Sequence, residues 1–566
     1  MQVLRVNTEK GNITSHPLDA EWEHLGGRGL ASRLVAREVP PTAHPLGRHN
    51  KVVIAPGLLT GSAVPCSGRL SVGGKSPLTG TIKESNVGGT AGQRLARLGY
   101  RAVVFAGSPE PGHWHLLYIS PEGARLEPAG DLVGLGNYDL VAALREWYGR
   151  QVSVISIGPA GERMLPLASV AVTNTEGQPS RHAGRGGMGA VLGSKGIKAV
   201  VLDKPSPGQV APRDPERFRE ALRGFVSALR TNPTTAKVLP TYGTTALVDI
   251  VNEAGALPTR NYSTGRFEGA SRINGDTFLR LVRERGGVAG HPCHPGCIIR
   301  CSNVYNDAAG RYLTSGLEYE TIGMLGSNCG VDDLDAIAAM DRLCDDLGLD
   351  TMEVGAALAV AMEAGVLPFG DSRGMRELIE EMVQGTYLGK ILGQGAAITG
   401  RVLGVRRVPV VKGQSMAAYD PRALKGAGVT YATSPMGADH TNGNGLGGKV
   451  DPLGAGGQRE YARFFGLAHA LFDTLGLCWF TRAPFLEDRR LIAELLSGFT
   501  GREWTTGDLE AVSARVIEVE RGFNRRAGFD RAHDRLPEFF GEERLHPHET
   551  VFDVPEEELD AVYGGA

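Results

Sequence analysis

Cysteine is scarce in this chain: seven residues in 566. An odd count at so low a density excludes a disulfide scaffold. Charge of one sign is missing too. Lys and Arg total 60 against 63 Asp and Glu, for a net charge of −3 and a pI near 6.6. That balance favours neither nucleic acid nor an anionic membrane as a partner. Long apolar runs are also lacking. The longest, Val354–Met362, falls far short of the ~20 residues of a spanning helix. The opening stretch, MQVLRVNTEKGNITS, alternates like a strand and turn and has no apolar core of a signal peptide. Together these absences predict a cytoplasmic protein with no membrane or nucleic-acid partner. Low-complexity segments are absent as well. Glycine is abundant instead, at 79 residues, about twice its usual share. Such a content suits tight turns and close backbone approach to a ligand.

The texture changes along the chain. VLRV, KVVIAP, RAVVFAG, VSVISIG and KAVVLD are short β-branched runs bounded by turn residues, as strands are. KPSPGQVAPRDPERF (204–218) reads as a Pro-rich linker. Helical periodicity follows. Ile337, Met340, Cys344 and Leu347 recur at spacings of three and four within LDAIAAMDRLCDDLGLD. VRRVPVVKGQ (405–414) marks a second boundary, and a Gly-rich loop region spans 425–457 before the last helices. The expected fold class is α+β. Residues 1–205 form a β-rich domain, and two mainly α-helical domains follow, 206–410 and 411–566.

The cysteines cluster. HPCHPGCIIRCSN (291–303) holds Cys293, Cys297 and Cys301 in a C-x3-C-x3-C pattern. On one helix these would spread over about 12 Å of axis, too far for one small centre. Pro292, Pro295 and Gly296 favour a compact loop instead. Three readings stand: unrelated thiols, a zinc site completed by His291 and His294, or iron–sulfur ligation with a distant fourth cysteine. Cys66, Cys329, Cys344 and Cys478 are the candidates for the fourth. Cys344 lies on the apolar stripe of a helix, as buried structural cysteines do.

Cys478 ends a motif that occurs twice. DDLGLD (345–350) and DTLGLC (473–478) both fit D-x-x-G-L-[DC]. Each follows an amphipathic segment, and each glycine is placed to end a helix in a left-handed cap. Two copies suggest a ligand with two similar halves. A further loop, SRHAGRGGMGAVLGSK (180–195), interleaves Arg181 and Arg185 with Gly184, Gly186, Gly187 and Gly189, a composition suited to anions. NVGG (86–89) is similar but uncharged.

At these residues the chain resembles the aldehyde:ferredoxin oxidoreductases, tungsten bis-pyranopterin enzymes. GGRGLASRL (26–34), PGLLTG with SGRLSVGGKSPLTG (56–80), NVGGTAG (86–92), YDPRALKGAG (419–428) and VERGFNRRAGFDRAHDRLP (519–537) carry the resemblance along nearly the whole chain. It implies that the β-rich domain binds pterin. It implies that Asp345, Leu349 and Asp350 hold one pterin and Asp473, Leu477 and Cys478 the other. Cys478 would then join Cys293, Cys297 and Cys301 as the fourth ligand of a [4Fe–4S] cluster. Asn86, Gly88, Arg181, His182, Gly184 and Arg185 would form the cradle for the pterin phosphates and a bridging Mg2+, and Arg69 would lie between cluster and pterin. His182 stands where the family often has Ala, a change that a backbone magnesium contact survives.

The implied reaction oxidises an aldehyde with water to the carboxylate. Electrons leave through the cluster to ferredoxin or an iron–sulfur partner subunit. Such chemistry needs a metal to take electrons and a base and acid beside it. GLEYET (316–321), read as a strand, would point Glu318 and Glu320 to one face. The resemblance makes Glu320 the active-site carboxylate and His440 of MGADHTNGNG the proton donor. Histidine suits that role because it titrates near neutrality. Tungsten and molybdenum both remain open as the metal, and so do homo- and hetero-oligomers. A related reaction on an aromatic acyl-CoA is the alternative within the family, and a zinc-stabilised binding protein the alternative outside it. The chain departs from archaeal members in three places. Its first cysteine gap is one residue longer, Met436 and Asn442 replace basic residues, and Ala339-Met340-Asp341-Arg342 lacks the Glu-x-x-His of an interfacial iron site.

Overall fold

The computed structural model describes residues 1–447 and 449–564. Gly448, inside the Gly-rich stretch, and residues 565–566 lie outside the described residues. The fold is α+β. Twelve strands occupy the N-terminal third: β1 Gln2–Asn7, β2 Asn12–Pro17, β3 Val52–Pro56, β4 Leu70–Lys75, β5 Ile82–Val87, β6 Tyr100–Ala106, β7 His115–Ser120, β8 Gly123–Pro128, β9 Ser153–Ser156, β10 Val170–Val172, β11 Arg181–Ala183 and β12 Ile197–Leu202. The five β-branched runs read from sequence are β1, β3, β6, β9 and β12. Several of the other strands carry Gly, Ser, Lys or Arg and reveal themselves only by pairing.

The twelve strands form two six-stranded sheets of the same design. The first runs β2-β1-β6-β3-β4-β5 and the second β8-β7-β12-β9-β10-β11. Adding six to each strand of the first sheet gives the second. Strand directions repeat as well: β1 is parallel to β6 as β7 is to β12, and the other neighbours are antiparallel. After β2 and after β8 comes a matching helix, Gly27–Glu38 and Asn137–Tyr148. β3, β4 and β12 are buried on both faces, which requires layers on each side.

The rest is helical apart from small sheets. β13 Val288–His291, β14 Ser302–Asn306 and β15 Tyr312–Ser315 form an antiparallel sheet that carries the cysteine loop between β13 and β14. Helix Leu334–Leu347 buries Ile337, Met340 and Cys344, as its periodicity predicts. Helix Thr351–Glu363 is buried nearly all round, and Asp350 caps it by accepting from the Met352 amide at 3.0 Å. Residues 425–457 are not loop throughout. They open with helix Lys425–Thr433, buried at every position. Its sequence, KGAGVTYAT, has weak helix propensity, so packing decides. The Phe552 ring lies so close to Gly428 that a Cβ there would come within 2.4 Å of it. Among the described residues, no single helix is long and apolar enough to cross a membrane.

Candidate active site and cluster loops

Each copy of the repeated motif ends a helix. Helix Leu334–Leu347 stops at Gly348 (φ 75°) and helix Gln458–Leu475 at Gly476 (φ 78°). In both the amide after the glycine donates back into the helix, Leu349 to the Cys344 carbonyl at 2.8 Å and Leu477 to Phe472 at 3.0 Å. A left-handed C-cap needs glycine, as the sequence predicted. Each motif docks on one sheet. The Ser169 amide donates to the Gly348 carbonyl (2.9 Å) and the Arg69 amide to that of Gly476 (3.2 Å). The two positions match in the two sheets, each preceding the second strand of a β3-β4 or β9-β10 pair. Glycines make the approach possible. A Cβ on Gly57 would lie 2.1 Å from the Gly476 Cα, and one on Gly27 (φ +44°) 1.9 Å from the Asp473 carbonyl oxygen.

Asp473 sits in a buried acidic group. Arg28, 1% exposed, pairs both nitrogens of its fork with Glu520 at 2.9 Å and approaches Asp473 at 3.5 Å. Burial, then Glu84, pushes the Asp473 carboxyl well above its ordinary range, against the pull of Arg28 and Arg69. In the first motif, Asp345 Oδ1 lies 3.0 Å from His182 Nε2, and the Asp345 backbone carbonyl accepts from Asn137 Nδ2 at 2.8 Å.

The cysteine loop is irregular and turns at Gly296 (φ 82°) and Arg300 (φ 56°). It brings Cys293, Cys297 and Cys301 beside Cys478. Arg69 lies among three of them. Burial pulls its guanidinium down, but the sulfurs of Cys478, Cys293 and Cys301 outweigh that and raise it; Nη2 lies 3.6 Å from Cys478 Sγ. Cys66 is adjacent. Its amide donates to the Gly296 carbonyl and its carbonyl accepts from the Cys478 amide at 2.8 Å, so it ties the two cysteine-bearing loops together. At Cys297, the Cys293 thiol pulls the pKa down, but Cys66 and burial push it up to about 12. Metal binding here must therefore displace protons. Cys293, His294 and Cys297 also bring ligand atoms within 4.8 Å of one another. Cys344 and Cys329 lie buried elsewhere in the helical core.

GLEYET is not a strand. After Glu318 the chain turns into a short helix, Tyr319–Thr321, so the two carboxylates diverge. Glu318 accepts from Thr244 Oγ1 at 2.6 Å and lies 3.6 Å from Arg181. Glu320 accepts from the Ala418 amide at 3.0 Å through Oε2. Its Oε1 faces His440 Nε2 at 3.9 Å. The segment 417–418 organises this corner: Tyr319 donates to the Ala418 carbonyl and Tyr262 to that of Ala417. His440 opens a single turn capped by Asp439. Burial alone would raise the Asp439 carboxyl, but Lys83, at 2.8 Å, and Arg185 hold it well below its usual range.

The Gly-rich loops lie between the motifs. The Gly89 amide donates to the Cys293 carbonyl at 3.0 Å, which fixes Asn86 and Gly88 next to the cluster loop. Gly184 faces Asp350. Arg185 is not a free fork. It binds Asp350, Ser415 and the Ala438 carbonyl and braces the first motif against the His440 loop. Arg181 binds Ser302 Oγ but leaves Nε buried and unpartnered. Ser315 Oγ, Glu320 Oε1, Gln414 Oε1, His440 Nδ1 and Asn442 Oδ1 are likewise buried without a partner among the described residues. So many orphaned polar atoms in one region fit a polar ligand seated among them.

Known proteins match this chain along nearly its whole length. Residues 3–204 match the family described as aldehyde ferredoxin oxidoreductase, N-terminal domain, and residues 220–564 its domains 2 and 3. The chain belongs to the aldehyde ferredoxin oxidoreductase family. It is 35% identical to the tungsten-containing aldehyde ferredoxin oxidoreductase of Pyrococcus furiosus over 96% of this chain and 91% of that one. The Thermococcus kodakarensis enzyme of the same name is 35% identical over the same shares. An aliphatic sulfonate oxidoreductase, WOR-like subunit, from Pyrococcus furiosus is 25% identical over 89% of this chain and 82% of that one. A solved active-site complex BamBC of benzoyl coenzyme A reductase shares the fold, with a TM-score of 0.81 at 20% identity over 99% of this chain and 93% of that one.

Within this family member, some residues near Glu320 carried no separate signal in the sequence. Tyr319 and Tyr419 pack at 5.3 Å and, with Tyr262 and Tyr431, surround the carboxylate side of the site. Tyr319 stood in the quoted GLEYET and Tyr419 in YDPRALKGAG, but only folding brings the four rings together. Lys83, which orders Asp439, and Glu353, which accepts from the Ser415 amide at 2.9 Å, were equally hidden.

Proposed function

We propose that this chain oxidises an aldehyde with water to the carboxylate at a tungsten bis-pyranopterin centre. It releases two electrons and three protons for each aldehyde converted to the carboxylate anion. The observation that carries the reading is the pairing of two D-x-x-G-L caps, each on its own copy of one sheet, with Cys478, Cys293 and Cys301 around Arg69 and the Glu320–His440 pair. Asp345, Leu349 and Asp350 hold one pterin; Asp473, Leu477 and Cys478 hold the other. Asn86, Gly88, Arg181, His182, Gly184 and the backbone at Arg185 would cradle the phosphates and hold a Mg2+. Cys293, Cys297, Cys301 and Cys478 ligate a [4Fe–4S] cluster, and ferredoxin or an iron–sulfur subunit takes the electrons. When bound, the metal supplies the electron sink and polarises the reacting oxygen.

The chain's own residues handle protons and position. Glu320 is anchored by one oxygen to the Ala418 amide, which leaves Oε1 to accept a proton from water. His440, across 3.9 Å, passes protons to or from that oxygen. Arg69 would lie between cluster and pterin, where its charge favours the thiolate form of the neighbouring cysteines.

Anaerobic purification followed by metal analysis tests the reading. Tungsten and about four irons per chain, with viologen reduced by an aldehyde, are expected. Full metal loading with no activity on any aldehyde would sink the reaction, and zinc alone would favour a binding protein. The ligand set has its own test. Cys478→Ala is expected to lose the cluster absorbance and most of the iron, whereas Cys344→Ala keeps both. The reverse pattern refutes the assignment.

A further inference from the structure

A cavity of about 460 Å³ lies away from the site just described, where Leu18, Leu58, Val210 and Phe499 meet. That volume suits a small ligand, whose pockets run from about 300 to 1,000 Å³. Arg101, at the start of β6, lines it while only 5% exposed. Burial pulls its pKa down to about 10, with no acidic group offsetting the cost. Its Nη1 donates to the Leu58 carbonyl at 3.1 Å and, more weakly, to Gly57 at 3.4 Å. Its Nε is buried and unpartnered among the described residues. The cavity's one acidic side chain, Glu23, lies 3.5 Å from the exposed Arg213.

We propose that this cavity binds a small organic oxyanion, a carboxylate or phosphate monoester with an apolar body, on the free edge of Arg101. A guanidinium edge matches either headgroup with two parallel hydrogen bonds. A buried cation without a counter-ion is costly, and the incoming anion removes that cost. Leu18, Leu58 and Phe499 supply apolar walls for the body of the ligand. The site also bears on the second motif. Arg101 holds the carbonyls of Gly57 and Leu58, and the amides of Leu58 and Leu59 donate to Thr474 and Leu475 at 3.0 and 2.9 Å. A ligand on Arg101 therefore sits one hydrogen-bonded segment from Cys478.

Calorimetric titration of the anaerobically purified holoprotein tests this with phenylacetate, phenyl phosphate and inorganic phosphate. One saturable site for phenylacetate or phenyl phosphate, tighter than for inorganic phosphate, is expected; the better probe names the headgroup. Arg101→Gln and Leu18→Trp, which fills the cavity but keeps the guanidinium, should each weaken it at least about ten-fold. If Arg101→Gln does not fold, Leu18→Trp decides alone. No saturable binding of either organic probe, equal binding of inorganic phosphate, or a smaller loss in either folded variant overturns the proposal.

Discussion

Glu320→Gln is expected to lower kcat by about 10²–10⁴-fold, the usual contribution of a general base, with tungsten and iron contents unchanged. The amide is nearly isosteric. Its oxygen still accepts from the Ala418 amide, as Glu320 Oε2 does at 3.0 Å, so the short helix Tyr319–Thr321 keeps its position. What changes is the other atom. An NH2 group replaces the oxygen that faces His440 Nε2 at 3.9 Å, and it can accept no proton. KM should move much less than kcat, because the lost interaction belongs to the reacting step. His440→Asn should also lower kcat, and the double variant should lose less than the product of the two effects, since both residues serve one proton path. Steady-state viologen assays on metal-loaded protein decide it. Wild-type turnover in Glu320→Gln removes that residue from the mechanism.

Arg28→Ala is expected to destabilise the protein by about 3–5 kcal/mol, the cost of leaving buried charges without their partner. Arg28 donates hydrogen bonds to both oxygens of Glu520, whose side chain is fully buried. It also faces Asp473. Its loss leaves carboxyls in an apolar setting next to Glu84, which burial already pushes up. The damage should spread to the cluster, because Asp473 begins the turn that ends at Cys478. A lower urea midpoint and reduced iron content are therefore expected together. Arg28→Met with Glu520→Leu should recover most of the stability, since an apolar pair of similar volume can replace a buried ion pair. A shift under about 1 kcal/mol in Arg28→Ala, ordinary for a surface substitution, would show that the pair bears no load.

Much of this architecture can be read from residue order. The β-branched runs locate five strands, and the apolar spacing locates helix Leu334–Leu347 with Cys344 inside it. D-x-x-G-L followed by Asp or Cys marks both left-handed caps, because only glycine adopts that backbone readily. Other features are hidden. GLEYET alternates like a strand yet turns helical, because Tyr319 and Glu320 both find their partner at Ala418, about a hundred residues away. KGAGVTYAT has poor helix formers but is enclosed on every side. Arg185 looks like a free phosphate fork and is instead occupied by Asp350, Ser415 and Ala438.

The sequence by itself determined the local chemistry: which turns need glycine, where thiols and carboxylates gather, and which family the chain resembles. Those depend on neighbours a few residues apart, which the chain order records. Only the tertiary structure decided that one sheet design is used twice, that each copy receives one motif, and that Arg69 gathers sulfurs from two distant loops. It also decided that Arg101 is buried with an edge left free. These facts rest on pairings between residues far apart in the chain, and such pairings are set by packing and hydrogen bonding in the folded state rather than by local pattern.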